Sequence, residues 1–207
     1  MTQPNFAFEN QYKGIVAGID EVGCGPWAGP VVAAAVIIDQ RLFPEKFAET
    51  INDSKKLSKK RRESLYQQLI QHPCLTYHIG SSSVEEIDQL NISRATKLAM
   101  KRAVSGLGVI PDHVLIDGVR DPGLGFCTQL IVKGDQKSFS IAAASIIAKE
   151  TRDQIMCDLD QKYPQYGFAK HAGYPTQFHR EKIREHGICE FHRKSFEPIK
   201  SILHASS

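Results

Sequence analysis

No hydrophobic run in this chain is long enough to cross a membrane. The longest uninterrupted one, Val31 to Ile38, has eight residues, against the roughly 18 or more that a spanning helix needs. The amino terminus, Met1-Thr2-Gln3-Pro4-Asn5, has no basic cluster followed by an apolar stretch, so no secretory signal is expected. Cysteine is sparse and unpatterned. Cys24, Cys74, Cys127, Cys157 and Cys189 are odd in number, scattered and never paired as C-x-x-C. This argues against a disulfide or zinc framework and reads as the reduced thiols of a cytoplasmic protein. Internal repeats and low-complexity tracts are absent. Neither sign of charge dominates: 26 Lys and Arg against 23 Asp and Glu leave +3, too mild a bias to establish an acidic partner. What is present is globular, since 207 residues with 42% hydrophobic and 24% charged side chains suit one substantial core.

Ile15 to Ile19 reads as a buried strand and Val31 to Ile38 as a second, joined by the Gly and Pro cluster of residues 23 to 30. That link is too short for a crossover helix, so the two strands should pair antiparallel. Ser58, with Arg61 three positions on, predicts a capped helix through Leu65, Leu69 and Ile70 that ends near His72-Pro73. Leu75 to Ile79 follows as a strand. Residues 84–104 are helical in tendency, with Asn91 or Ser93 as internal caps. Arg94, Lys97 and Lys101 fall on one face, opposite Ile92, Ala95, Ala99 and Ala103. Gly106 and Gly108 stop that helix. Val114 to Ile116 and Leu130 to Val132 are strand-length apolar runs, and Ile141 to Ala148 opens a core helix that continues to about Lys162. From Tyr163 onward the chain becomes rich in histidine. That tail holds a helix-like segment over 176–186 and reads as an appendage beside the sheet.

Two glycine-bearing segments mimic nucleotide loops and fail on inspection. Gly23-Cys24-Gly25-Pro26-Trp27-Ala28 fits G-x-G-x-x-A, but a strand follows where a dinucleotide fold needs a helix. Lys133-Gly134-Asp135-Gln136-Lys137-Ser138 lacks the first glycine of a phosphate loop. The acids are more informative. Ile19-Asp20-Glu21 and Ile116-Asp117-Gly118 each end an apolar strand in carboxylate, and Asp135 follows a third such run. Brought together at one sheet edge, these carboxylates would repel unless a hard, oxygen-loving cation such as Mg²⁺ or Mn²⁺ neutralised them. For any single one, a plain turn after a strand explains the Asp as well. The stretch from Asp53 to Arg62 carries six cations and one acid, and with the Arg94 face it could contact nucleic-acid phosphates. Tyr163-Pro164-Gln165-Tyr166-Gly167-Phe168 and His171-Ala172-Gly173-Tyr174 interleave aromatics with histidine and Lys170. Such residues stack on bases or simply pack.

Taken together, these strings resemble the bacterial ribonuclease HII family. The resemblance is carried by Gly18-Ile19-Asp20-Glu21-Val22-Gly23, Ala28-Gly29-Pro30-Val31-Val32-Ala33-Ala34-Ala35, Asp53-Ser54-Lys55-Lys56-Leu57-Ser58, Leu115-Ile116-Asp117-Gly118 and Lys133-Gly134-Asp135. Ala142-Ala143-Ala144-Ser145-Ile146 and the Tyr163 and His171 motifs add to it. It runs in order from about residue 14 to 200. It implies an α/β fold, a ribonuclease H-like mixed sheet flanked by helices, with residues 14–162 as catalytic domain and 163–207 as a small helical carboxy-terminal extension packed on the same core.

The resemblance also implies a metal-dependent endoribonuclease, a hydrolase of DNA replication and repair. It would cut the RNA strand of RNA–DNA hybrids and incise duplex DNA at embedded ribonucleotides, leaving 3′-hydroxyl and 5′-phosphate ends. Asp20, Glu21, Asp117 and Asp135 match the family's acidic positions and would be both catalytic and metal-ligating, holding Mg²⁺ or Mn²⁺ in a two-metal site. Gly23, Cys24, Gly25 and Tyr174 match the motif and the tyrosine that read the 2′-hydroxyl, while Lys55, Lys56 and Ser145 match phosphate or backbone contacts. Cys24 is a departure, since the family usually has Arg there, and a guanidinium able to fork onto a phosphate is missing. Trp27 reads as core packing rather than substrate stacking. A monomer is implied, and clamp recruitment is left open. The alternative, a non-catalytic nucleic-acid-binding protein on the same fold, is opposed by the four acids, which repel phosphates unless metal is present.

Overall fold

The computed structural model describes residues 3–51 and 57–205. Lys55 and Lys56, expected as substrate contacts, lie outside the described residues. A five-stranded mixed sheet with order β3-β2-β1-β4-β5 forms the centre. β1 (Val16–Val22) and β2 (Val31–Ile38) pair antiparallel, from Ala17 opposite Ile37 to Val22 opposite Val32. β2 is buried along most of its length because it has neighbours on both edges and helices on both faces, as its unbroken apolar sequence requires. β3 (Leu75–Ser82) extends the antiparallel side as an edge strand, whose alternating burial shows one face in the core and one in solvent. β4 (His113–Asp117) lies parallel to β1, with Ile19 opposite Ile116, and β5 (Thr128–Ile131) lies parallel to β4, with Asp117 opposite Ile131.

Helices cover both faces. α1 (Glu45–Thr50) and α2 (Lys59–Gln71) precede β3, and Ser58 caps α2 by accepting from the Arg61 N–H. α3 (Val84–Leu90) and α4 (Ile92–Ser105) are the two halves of the helical stretch after β3. They break at Asn91, whose φ of 68° sits in the left-handed region and whose side chain accepts from the Arg94 N–H. Ala95, Ala99 and Ala103 face the sheet, and their small size lets α4 approach β3 closely: a Cβ on Gly80 would lie 2.5 Å from the Ala103 nitrogen. The opposite face is covered by α5 (Phe139–Lys162), which crosses β1 at Gly18, where any Cβ would strike the Ser140–Ile141 backbone. Two apolar layers result. Ala17, Ile19, Ala33, Ala35, Val114 and Ile116 meet α4 in one, and Ala34 and Val36 meet Ala142 to Ala148 in the other.

After α5 come α6 (Phe168–His171), α7 (Gln177–His186) and α8 (Ile199–Ala205). This part of the chain is joined to the β1–β2 connection by backbone hydrogen bonds. Trp27 N–H donates to the Gly173 carbonyl at 2.8 Å, Gly29 N–H to Phe191 at 2.9 Å, and Arg193 N–H to Trp27 at 2.8 Å. Trp27 is buried with Ile183 and Ile199, in agreement with the packing role expected of it. Among the described residues no helix is long and apolar enough to cross a membrane.

Candidate active site

Parallel pairing of β1 with β4, and of β4 with β5, aligns the carboxyl ends of three strands and so brings distant acids together. Asp20 stands one residue past the Ile19–Ile116 pair, beside Asp117 at the end of β4. Asp135 sits in a single 3₁₀ turn, Gly134–Gln136, just beyond β5. That turn is tied to β4 by the Gly134 N–H, which donates to Asp117 Oδ1 at 2.7 Å. Ligand atoms of Asp20, Asp117 and Asp135 all lie within 4.8 Å of one another. Asp20 and Asp135 are buried and Asp117 is half-buried.

Glu21, the fourth expected acid, is not part of this triplet. Successive side chains on a strand point to opposite faces. Asp20 therefore faces α5, while Glu21 faces α4 and lies 3.9 Å from the Cys24 thiol. The same alternation explains Ser145. Expected as a phosphate or backbone contact, it is buried on α5, with its hydroxyl hydrogen-bonded to the Asp20 carboxylate. Asp20 also accepts from the Glu21 N–H at 2.8 Å. Burial, followed by the charges of Glu21 and Asp117, nevertheless holds the Asp20 carboxyl well above the usual carboxylate range. Crowded, buried carboxylates with only oxygen donors are a receptor for a hard divalent cation, which would relieve both the repulsion and the desolvation.

Beside the acids runs a groove of about 430 Å³, lined by Glu21, Cys24, Arg94, Thr96, Lys97 and Asp117 among others. The basic face expected on α4 thus meets the acidic edge. Cys24 is half-buried there, 3.5 Å from the Thr96 hydroxyl, and burial followed by the Glu21 charge pushes its thiol pKa up, away from thiolate reactivity. Gly23 has φ +94°, and a Cβ there would strike Arg152. Tyr174 is 40% exposed, and its ring is 3.8 Å from where a Cβ on Gly25 would stand. The glycine motif and the tyrosine, 149 positions apart by 174 − 25, therefore form one surface.

Sequence reasoning missed the groups behind this surface. Arg152 and Arg193 are fully buried. The Arg193 pKa is pushed down to about 10, by burial and then by its neighbour Arg152, which leaves it charged at neutral pH. His179 and His192 are also fully buried and linked Nε2 to Nε2 at 3.1 Å. His179 Nδ1 lies 3.0 Å from the Tyr174 carbonyl, and the Cys189 N–H donates to His192 Nδ1 at 2.9 Å. This is a consistent neutral chain in which His192 Nε2–H donates to His179 and His179 Nδ1–H donates to Tyr174. Histidine enrichment after Tyr163 was the available signal for the histidines, and spacing carries none for the arginines.

Comparison with known proteins agrees with this geometry. The family model for ribonuclease HII matches residues 17–199. A ribonuclease HII of Shewanella baltica is 54% identical over 196 residues, covering 92% of this chain and 91% of that protein. The crystal structure of ribonuclease H2 from Pyrococcus horikoshii OT3 superposes with a TM-score of 0.77 at 27% identity, over 92% of this chain and 98% of that one. The RNase HII of Archaeoglobus fulgidus, solved in a complex with PCNA, superposes with a TM-score of 0.74 at 27% identity, over 88% and 95% of the two chains. With a ribonuclease H-like sheet, acids gathered at its edge and sequence similarity across nearly its whole length, the chain belongs to the ribonuclease HII family of metal-dependent ribonucleases.

Proposed function

We propose that this chain hydrolyses the RNA strand of RNA–DNA hybrids and incises duplex DNA at embedded ribonucleotides, leaving 3′-hydroxyl and 5′-phosphate ends. The observation that carries the reading is the convergence of Asp20, Asp117 and Asp135, with ligand atoms within 4.8 Å, from three separate parts of the chain. Their donor set is all oxygen and suits Mg²⁺ or Mn²⁺, and Glu21, on the opposite face of β1 at the same strand end, would be the fourth ligand of a site for two ions. Ions held by these acids would supply Lewis acidity, lowering the pKa of a water and offsetting charge on the leaving 3′ oxygen.

The protein's own residues set the geometry. Ser145 and the Glu21 N–H fix the Asp20 carboxylate, and the Gly134 N–H fixes that of Asp117, so the donors are oriented before substrate arrives. Ser145 thus acts through Asp20 rather than on a phosphate. Gly23, Cys24 and Gly25 present backbone to the nucleic acid, and glycine is what allows a sugar to approach that closely. Tyr174, exposed beside Gly25, offers its hydroxyl to the 2′-hydroxyl, the group that distinguishes one ribonucleotide from its DNA neighbours. Arg94 and Lys97 along the groove supply phosphate contacts. Because one chain supplies the acids, the loop and the tyrosine, we read the active species as a monomer.

The test is a gel assay on duplex DNA carrying a single ribonucleotide, with Mg²⁺, with Mn²⁺ and with EDTA. Incision at the ribonucleotide with either ion, its absence in EDTA and its loss in Asp20→Asn are expected. No incision with either ion, or equal cutting of an all-DNA duplex, overturns the reading.

A further inference from the structure

Two buried guanidinium groups stand behind the surface assigned to substrate reading, and all of their hydrogen bonds go to backbone carbonyls. Arg193 donates from Nε and Nη2 to the Gly29 carbonyl at 3.0 and 2.8 Å, from Nη2 to Gly23 at 2.6 Å, and from Nη1 to Cys24 at 3.1 Å. Arg152 donates to Pro30 at 2.9 Å, Ala28 at 3.1 Å and Ala172 at 2.9 Å. Arg193 therefore grips the first two carbonyls of the glycine motif and that of Gly29 beyond it, and Arg152 ties the end of that connection to the turn bearing Tyr174. Neither takes part in any ion pair among the described residues.

The consequence follows from peptide geometry. Across a trans peptide the C=O and N–H point in opposite directions, and the only cis bond among the described residues is Glu197–Pro198. With the Gly23 and Cys24 carbonyls turned inward to Arg193, the N–H groups of Cys24 and Gly25 are turned outward. Neither has an acceptor among the described residues. Two successive outward N–H groups above a buried cation favour an anion.

We propose that Arg193 is a positioning residue for ribonucleotide recognition: by holding the carbonyls of Gly23, Cys24 and Gly29 inward, it aims the Cys24 and Gly25 N–H groups at the nucleic-acid backbone beside Tyr174. This rests on the reading of Gly23-Cys24-Gly25 as a substrate contact. Arg193 lies in the carboxy-terminal part of the chain, so that part would shape the recognition surface from behind through Arg193 as well as contribute Tyr174 to it. Lysine cannot replace it, because its three donors share one nitrogen, whereas the planar guanidinium reaches the three carbonyls from Nε, Nη1 and Nη2.

The experiment measures kcat and KM of the metal-loaded full chain on a duplex with one ribonucleotide. Arg193→Lys keeps the charge and loses the fork, and is expected to raise KM about tenfold with kcat within about twofold. Tyr166→Phe removes a hydroxyl bond to the Gly187 carbonyl in the same part of the chain without touching the loop, and should leave KM unchanged. If Arg193→Lys lowers only the active fraction or kcat, with KM unaltered, Arg193 is merely structural and the proposal falls. Should that variant not fold, Phe196→Leu replaces it. This removes the ring 5.0 Å from the guanidinium carbon, loosening Arg193 while sparing its donors, and an unchanged KM would equally overturn the proposal. Gly25→Ala tests the underlying reading, since its methyl has room in the free protein but stands where the nucleic acid approaches. A raised KM in Gly25→Ala with none in Arg193→Lys defeats the positioning role alone. No change in Gly25→Ala defeats the assignment of the loop.

Discussion

Replacing Asp20 with Asn should make the metal-free protein more stable while abolishing cleavage. Burial and the neighbouring acids hold the Asp20 pKa well above its ordinary value, so the folded state binds this proton more tightly than the unfolded chain does. Stability is therefore lost as pH rises from the usual carboxylate range through the raised folded value, so the ionised form of Asp20 is a net cost to the fold. Two carboxylates at the 4.8 Å limit of the cluster repel by roughly 3.5 kcal/mol at an effective dielectric of about 20. Proton uptake caps what is actually suffered, which leaves an expected gain of about 1 to 3 kcal/mol. Asn keeps an oxygen to accept from the Glu21 N–H and from Ser145, so little is lost in exchange. For a chain of this size the gain corresponds to a rise in Tm of roughly 3 to 9 °C. Scanning calorimetry in EDTA between pH 5 and 8 reads it, and the gap should narrow at the acid end. Millimolar Mg²⁺ or Mn²⁺ should then raise the wild-type Tm more than the variant's, because ligand binding stabilises the state that binds. A variant that melts at or below wild type in EDTA across that whole range would refute the electrostatic account of the site.

Three further outcomes are expected. Arg62→Met leaves Glu150 and Asp153 of α5 without the buried guanidinium they share, and should cost about 3 to 5 kcal/mol in denaturant titrations. The pKa values of His179 and His192 are lowered from 6.5 to about 4, chiefly by burial. Each thus favours the folded state above pH 6.5 and withdraws roughly 2 to 3 kcal/mol as pH falls toward 4. Urea unfolding of wild type from pH 7 to 4 should show that loss, and His192→Gln should flatten it. Cys24→Arg adds a cation at the groove rim and should tighten binding of a ribonucleotide-containing duplex at low salt in EDTA. An unchanged affinity and salt slope would count against a phosphate contact at that position.

What could be read in advance was whatever depends on short-range pattern. The eight-residue apolar run of β2 has the same bounds in the structure, and the brevity of its connection to β1 correctly required an antiparallel pair. Ser58 caps α2 as its spacing to Arg61 predicts. Two possible caps within residues 84–104 were indistinguishable by residue type, and the choice fell to Asn91, which tolerates positive φ where the helix direction changes. The acids at strand ends were legible as candidates, but their grouping was not. Whether Asp117 lies beside Asp20 depends on β4 pairing with β1 rather than with β3, a long-range choice. The separation of Glu21 from the triplet follows from strand alternation once β1 is known to be covered on both faces.

The buried arginines were illegible for a stronger reason. Their partners are carbonyls, which every residue has, so no complementary side chain elsewhere in the sequence marks them. The same burial explains why a net charge of +3 was uninformative. Asp20 and Asp135 of the proposed metal site and the cations behind the proposed recognition loop are withdrawn from the surface, each with a local role that an overall sum cancels. Setting aside Asp20, Glu21, Asp117 and Asp135 together with the buried Arg152 and Arg193 changes the balance from 26 − 23 = +3 to 24 − 19 = +5. A nucleic acid approaching the metal-loaded enzyme therefore meets the more basic of these two balances, and attraction at distance together with cation binding at the centre requires that separation of charge by depth.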